Sequence, residues 1–460
     1  MQITFINHAC VKIAIGNATV LCDPWLDGPA FNFGWDLLIA TPIDAQTVMA
    51  DVTHIWLSHE HPDHFSPKFF NEIAANFSAN VPVLFQETRD KRVRSFLASR
   101  GFRVIELPDR QIRAVDGLRV ICGVDDFYDS WLYLGASSEA VLNLNDCNLS
   151  DRAELETIAR LVGPVDVLFT QFSYAAWKGG RTNSRLRAQA ATNKLAAIAA
   201  QVRALKPRWV VPFASFIYFS SRENDYLNDL VNTPDVARET IMQAGAQAVI
   251  LYPGDCWRPG AGYDDGPARA AYRRLYQEIG RLPLREPGDS VPLARLKDEF
   301  EAYRRRIFAQ NSPVLISLLR HVPFLDAFRP IKIRLTDLDT MVAVSVVDGF
   351  DVAPPPAAAG AEDVAMHSSS LSFIFNNPFG FDTLTVNGRF EATPDGFARM
   401  TKSLAIGSLN AMGLSVSPKL ILNPRVVTLL LWRLGAVVRG MRQGRELPAP
   451  AGPTSERRPP

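Results

Sequence analysis

Histidine is scarce in this chain, with seven in 460 residues. Cysteine is scarcer still: Cys10, Cys22, Cys122, Cys147 and Cys256 are odd in number, scattered, and never in a C-x-x-C pair. That pattern argues against a structural zinc ribbon or a cysteine-ligated iron–sulfur cluster, and it suggests reduced thiols in a cytoplasmic protein. Neither sign of charge dominates. Lys+Arg 49 against Asp+Glu 48 leaves +1, so no basic field calls for nucleic acid. Long apolar runs are missing too. The nearest, "LILNPRVVTLLLWRLGAVVRG" (420–440), is interrupted by Pro424, Arg425 and Arg433, and reads as a buried or surface-lying amphipathic helix rather than a membrane span. The opening "MQITFINHACVKIAIG" lacks a basic stretch followed by an apolar core, so it reads as a strand and not as a signal peptide.

The rest is ordinary for a globular protein, 47% hydrophobic and 21% charged, and long enough for two or three domains. Two strands, "ITFINHACVKIAI" and "ATVLCDPWL", flank the hairpin signal Gly16-Asn17. An apolar strand enters "LSHEHPDHFSP" (57–67), and Asp63–Phe77 follows as a helix. Beyond it, hairpin strands give way to strands alternating with helices. The order predicts an α/β sandwich of two sheets covered by helices over about 1–260. Residues 261–330 are charged and helix-like, a connector. A C-terminal α+β domain is expected over 331–440, in which "SSLSFIFNNPFGFDTLTVNGRFEAT" carries strand patterning, with a flexible insert at 353–363 and a disordered tail at 441–460.

Three of the seven histidines, His59, His61 and His64, fall within six positions, with Asp63 among them. Alternate residues of an extended loop put two imidazoles on one side. The adjacent Asp63-His64 pair can then serve a second ion about 3.5–4 Å away. A chance surface cluster fits poorly, because the motif follows an apolar strand and is spaced for coordination.

With these residues the chain resembles the metallo-β-lactamase fold superfamily over about residues 1–256. "HACVKI…VLCDPWL" resembles its opening hairpin, which implies His8 and Asp23 beneath the metal site. Asp146 in "VLNLNDC" stands where the family's aspartate bridges two ions. Where the family has a third histidine, "CGVDDFYD" offers Asp125 or Asp126. Where a last histidine follows a strand, this chain has Ala214 and Ser215. The implied fold is a metallo-β-lactamase-like αββα sandwich. The implied metal ligands are His59, His61, Asp63, His64, Asp125 or Asp126, and Asp146, with Asp63, Asp146 and His8 as catalytic candidates. A site this rich in oxygen donors favours two iron ions, with zinc or manganese as alternatives.

Within that superfamily "DPWLDGPAFNFGW", "LNLNDCN" and "LKPRWVVPFASF" resemble the cytidine monophosphate–N-acetylneuraminate hydroxylase family, whose members hydroxylate a nucleotide sugar. Those enzymes carry a Rieske cluster, and this chain has no C-x-H…C-x-x-H set for one. The resemblance thus implies an iron monooxygenase with a separate electron-transfer protein. The alternatives are a hydrolase of esters, phosphodiesters or amides using a metal-bound water, or a non-enzymatic binding protein. "TVNGRFEAT" followed by a helix loosely resembles a sterol-carrier-like domain.

For substrate contacts, "QFSYAAWKGGRTNSRLRAQ" (171–189) follows a strand that ends near the metals. Lys178 and Arg181, with Arg222 from the next such loop, are candidates to hold a small anionic molecule, and Tyr174 is a candidate to stack on it. "FGW" (33–35) with Asp36 is a candidate lid.

Overall fold

The Gly16-Asn17 turn forms as expected, but the chain reverses once before it. In the computed structural model, which describes residues 1–125, 129–322, 325, 327–353 and 362–418, the opening stretch is two strands and not one. Asn7 ends the first, His8 takes a left-handed φ of +44°, and the pairing register shifts between Phe5 and Asn7. The Asn7 side chain accepts from the His8 N–H at 2.9 Å and so stabilises the reversal. The 441–460 tail, the 420–440 segment, Asp126 and residues 354–361 of the insert lie outside the described residues.

The chain divides into two units, Met1–Glu286 with Val386–Gly388, and Pro287–Thr385 with the residues from Arg389 on. The charged stretch 261–330, expected as a connector, is shared between them.

The first unit contains β1 (Gln2–Asn7), β2 (Cys10–Ile15), β3 (Ala18–Cys22), β4 (Trp35–Leu37), α1 (Ala45–Met49), β5 (His54–Leu57), α2 (Pro67–Phe77), β6 (Val83–Gln86), α3 (Arg92–Ala98), β7 (Val104–Leu107), β8 (Ile112–Val115), β9 (Leu118–Val124), β10 (Ser130–Ala136) and β11 (Glu139–Asn143). It continues with α4 (Arg152–Val162), β12 (Val167–Gln171), α5 (Ser184–Leu205), β13 (Trp209–Phe213), β14 (Ile217–Phe219), α6 (Pro234–Ala244), β15 (Gln247–Ala248), β16 (Cys256–Trp257) and α7 (Gly266–Glu278). One sheet has the order β16-β1-β2-β3-β5-β6-β7 and the other β15-β13-β12-β11-β10-β9-β8.

Alternation decides which side chains face where. Val11, Ile13 and Ile15 of β2 and Trp56 of β5 point inward, into one core with Val120, Leu132, Leu134 and Leu142 of the second sheet. Ile55 and Leu57 point outward, under Phe69, Phe70 and Ile73 of α2 and Val93 and Leu97 of α3. Leu155, Ile158, Ile198, Val202 and Ile241 of α4, α5 and α6 cover the other sheet. The result is the expected αββα sandwich.

Parallel pairs matter most for the site. β3, β5 and β6 run parallel in the first sheet, and β11, β12 and β13 in the second. Their carboxyl ends gather, which is where open α/β sheets bind ligands.

The second unit is α+β. It has α8 (Leu293–Gln310), α9 (Pro313–Arg320), β17 (Ile331–Leu335), β18 (Thr340–Ser345), β19 (Gly349–Ala353), β20 (Val364–Met366), α10 (Ser368–Asn376), α11 (Gly380–Asn387), β21 (Glu391–Ala392), α12 (Pro394–Leu404) and α13 (Ile406–Ala411). Its sheet order is β19-β18-β17-β20-β21. Residues 368–387, expected as strands, are mostly helix. His367 caps α10 by accepting from the Ser369 N–H, and Leu371, Ile374 and Phe375 bury one helical face against Phe300 and Tyr303 of α8. Among the described residues no helix is long and apolar enough to cross a membrane.

Candidate metal centre

The histidine motif leaves β5 after Leu57, a strand whose four residues are all buried. It stops at Ser66, whose hydroxyl accepts from the Phe69 N–H while Pro67 occupies the first helical position. Both devices start α2 where the ligand loop must end. The loop itself is held from beneath by Asp23, which follows β3. Asp23 accepts from the Ser58 N–H at 2.7 Å and the Ser58 hydroxyl at 2.8 Å, and from the Asn145 amide. Its Oδ2 also lies 3.2 Å from His64 Nδ1. Ser58 Oγ is 2.9 Å from His59 Nδ1. These contacts fix the far nitrogens of both rings and turn their Nε2 atoms into the cleft.

In the cleft three donor groups converge. They are His59, His61 and Asp129; His59, His64 and Asp146; and His8, Asp63 and His64, each with donor atoms within 4.8 Å of one another. His64 Nε2 lies 3.2 Å from Asp63 Oδ2 and 3.4 Å from Asp146 Oδ2. His8 Nε2 lies 3.3 Å from Asp63 Oδ2, and His59 Nε2 lies 3.6 Å from Asp129 Oδ1. Donors sharing one ion at about 2.1 Å are about 3.0–3.4 Å apart, so these spacings suit coordination. The buried Oδ1 atoms of Asp63 and Asp146 and Nε2 of His64 make no hydrogen bond, the expected condition of atoms meant for a cation. The residues present fit metal ions.

Burial and the crowded carboxylates set the charges of the site. Burial, reinforced by the imidazoles of His64 and His61, pulls His59 well below the usual histidine range, so its ring stays a neutral donor. Burial opposes charge on His64 as well, but Asp63 and Asp146 outweigh it and hold the ring well above its ordinary value. Asp63, against its own burial, is held well below the carboxylate range by His64 and His8. Asp129 keeps 24% of its side-chain surface in solvent, yet the protein packed around its carboxyl pushes it up to about 7.

Asp129 is the acidic residue that sequence reasoning missed. Val124 pairs with Ser130 across the β9–β10 hairpin, and the Asp125 N–H donates to the Asp129 carbonyl at 2.8 Å. The loop therefore offers a donor at either end. Counting from the end of β9 selects Asp125, whereas the carboxylate among the imidazoles is Asp129. Asp125 joins none of the donor groups among the described residues. The position after β13, where the resemblance implies a histidine, is Ala214 at φ +49°, whose N–H donates to the His8 carbonyl at 2.9 Å. His8 itself supplies a nitrogen to the Asp63–His64 group.

Other expected contacts fall elsewhere. Tyr174 is only 2% exposed and donates its hydroxyl to the Leu227 carbonyl at 2.6 Å, so it anchors its loop. Arg181 binds Asp225 at 2.9 Å, and Arg222 binds Glu286. Asp36 is engaged by Arg285 at 2.7 and 2.9 Å. Lys178 is half-buried. Phe31, Asn32 and Phe33 take left-handed φ values of +49°, +52° and +61° in succession, a strained turn that sets the Phe31 ring edge-on to His61 at 5.4 Å. Trp25 meets His8 in the same way at 5.5 Å.

Residues 2–214 match the model of the β-lactamase superfamily domain. Among curated proteins, the cytidine monophosphate-N-acetylneuraminic acid hydroxylase of Macaca mulatta is 26% identical over 325 residues, 66% of this chain and 51% of that one. Its counterpart in Danio rerio is 24% identical over 340 residues, 70% of this chain and 54% of that one. The chain thus spans about half the length of these curated relatives. Among solved structures, CmlA, a diiron β-hydroxylase from Streptomyces venezuelae, aligns at 19% identity with a TM-score of 0.41, covering 56% of this chain and 54% of that one. The match to the β-lactamase superfamily domain thus lies within the first unit, which is folded as an αββα sandwich.

Proposed function

We propose that this domain is a metal-dependent monooxygenase that binds iron at the converged donors and hydroxylates a small anionic, nucleotide-sugar-like molecule. The observation that carries the reading is the donor set: four imidazoles, from His8, His59, His61 and His64, with three carboxylates, from Asp63, Asp129 and Asp146. Three carboxylates beside four imidazoles lean the set towards iron or manganese rather than zinc. The curated relatives, hydroxylases at about a quarter identity, support the same direction.

When bound, the metal supplies dioxygen activation. The chain's own residues prepare the place. Asp23 and Ser58 orient the rings of His64 and His59. Phe31 and Trp25 pack edge-on against His61 and His8 and hold those rings in place. No C-x-H…C-x-x-H set for a Rieske cluster lies within these 460 residues, so the electrons come from outside them.

A hydrolase would use the same donors to acidify a bound water, with Asp63 or Asp146 orienting it. Elemental analysis separates the two. Protein purified anaerobically without added metal should hold about two irons per chain and little zinc. After chemical reduction it should take up dioxygen. Stoichiometric zinc overturns the oxygenase reading in favour of hydrolysis, and no metal on reconstitution overturns both.

A further inference from the structure

The second unit turns apolar side chains to solvent at one corner. There α9 starts at Pro313, and the Ser312 hydroxyl accepts from the Leu315 N–H. Ile316 is fully buried and ties one side of the helix to the unit. Val314 and Leu318, one turn apart on the other side, are 67% and 59% exposed.

The described chain ends at the same corner. Asn311, between α8 and α9, accepts from the Val416 N–H at 2.7 Å, and the Ser312 N–H donates to the Val416 carbonyl at 2.9 Å. Leu409 and Leu414, just before this anchor, are exposed as well. Pro418, two residues beyond it, is the last described residue.

The stretch that follows, "LILNPRVVTLLLWRLGAVVRG" (420–440), lies outside the described residues, but its sequence has a helical pattern. Asn423 and Pro424 form a start signal. At 3.6 residues per turn Val427, Leu430, Leu431, Leu434, Val437 and Val438 share one stripe, and Arg425, Arg433 and Arg439 fall on the opposite side. Between Val416 and Glu446 the sequence has six cations and no acidic residue.

Charge selects what covers these apolar faces. α9 contains no acidic residue, so packing the stripe on α9 alone would leave the cations without counter-charge. A second copy would set the same cations against one another. A bilayer surface with anionic headgroups meets both needs: the apolar side chains reach the acyl boundary, and the arginines stay among the headgroups. Pro424, Arg425 and Arg433 interrupt the stretch and keep it from crossing. We infer that α9 and the stretch from Pro424 to Arg442 form a docking face for an anionic lipid surface, on which the protein rests without spanning it.

The test is co-sedimentation of the full chain with vesicles of phosphatidylcholine, alone and mixed with phosphatidylserine. The chain should bind the mixed vesicles at least about 10-fold more tightly than the neutral ones, and high salt should close the gap. Arg433→Gln combined with Arg439→Gln should weaken binding by about 10-fold or more, at about 5-fold per cation. Leu430→Ser combined with Leu434→Ser should do the same. Val314→Ser combined with Leu318→Ser should weaken it by about 5-fold or more. Both α9 side chains are exposed, so the melting temperature of that variant should hold, which separates lost binding from lost folding. No binding to the mixed vesicles overturns the proposal, as does binding indifferent to the arginine and leucine variants. Binding that needs the stretch but ignores the α9 variant overturns the part given to α9. A dimer in vesicle-free ultracentrifugation that the Leu430→Ser, Leu434→Ser variant dissolves assigns the face to a second copy and overturns the lipid reading.

Discussion

Asp23 and His64, 41 residues apart, meet at 3.2 Å between Oδ2 and Nδ1, with both side chains fully buried. The aspartate also accepts three other donors from Ser58 and Asn145. Asp23→Asn would turn an amide N–H₂ towards groups that already donate. Metal affinity should fall by about 10–100-fold, the usual cost of losing such a supporting carboxylate. Competition against a chelator of known affinity measures it. Unchanged affinity would mean that His64 needs no such support.

A second prediction separates two aspartates four residues apart. Asp129→Ala should weaken metal binding by about 10-fold or more, whereas Asp125→Ala should leave it within about 3-fold. The metal content of the two purified variants decides the matter. Greater loss from Asp125→Ala would mean that the other end of the β9–β10 loop provides the ligand.

The cysteines give a check on the fold that does not involve metal. Cys10, Cys22, Cys122 and Cys147 are buried and Cys256 is exposed. Burial raises the thiols of Cys10, Cys22 and Cys147 well above their ordinary value and pushes Cys122 up to about 12. An alkylating reagent at pH 8 should modify one thiol in the native chain and five after denaturation, since only the thiolate reacts. Mass spectrometry counts the adducts, and more than one adduct in the native chain would contradict this packing.

Much of this could be read from the chain because two local signals coincide. The apolar strand ending at Leu57 and the His59-x-His61-x-Asp63-His64 spacing point to the place of the site, and the family resemblance they carry implies the fold and Asp146 at the end of β11. What escaped depended on tertiary placement. Asp129 and Asp125 close the same hairpin loop, and composition does not say which end turns inward. Leu371–Phe375 favours a strand by propensity, but the His367 cap and burial against α8 make it a helix. The reversal at His8 rests on one left-handed residue inside a pattern that otherwise alternates.

The nitrogen donors and most of the oxygen donors belong to different sheets. His8, His59, His61 and His64 all leave strands of the first sheet, as does Asp63, whereas Asp129 and Asp146 leave the second. Metal choice thereby becomes a matter of timing during synthesis. A chain emerging amino-terminus first presents imidazoles before the later carboxylates exist. An ion captured then is chosen by nitrogen affinity, which ranks zinc and copper above iron. An ion admitted after the second sheet docks meets the complete set. Refolding the denatured chain with zinc and iron together should therefore enrich zinc relative to loading the folded, metal-free chain from the same mixture. Equal metal contents from the two routes would mean that the site selects its ion only when complete.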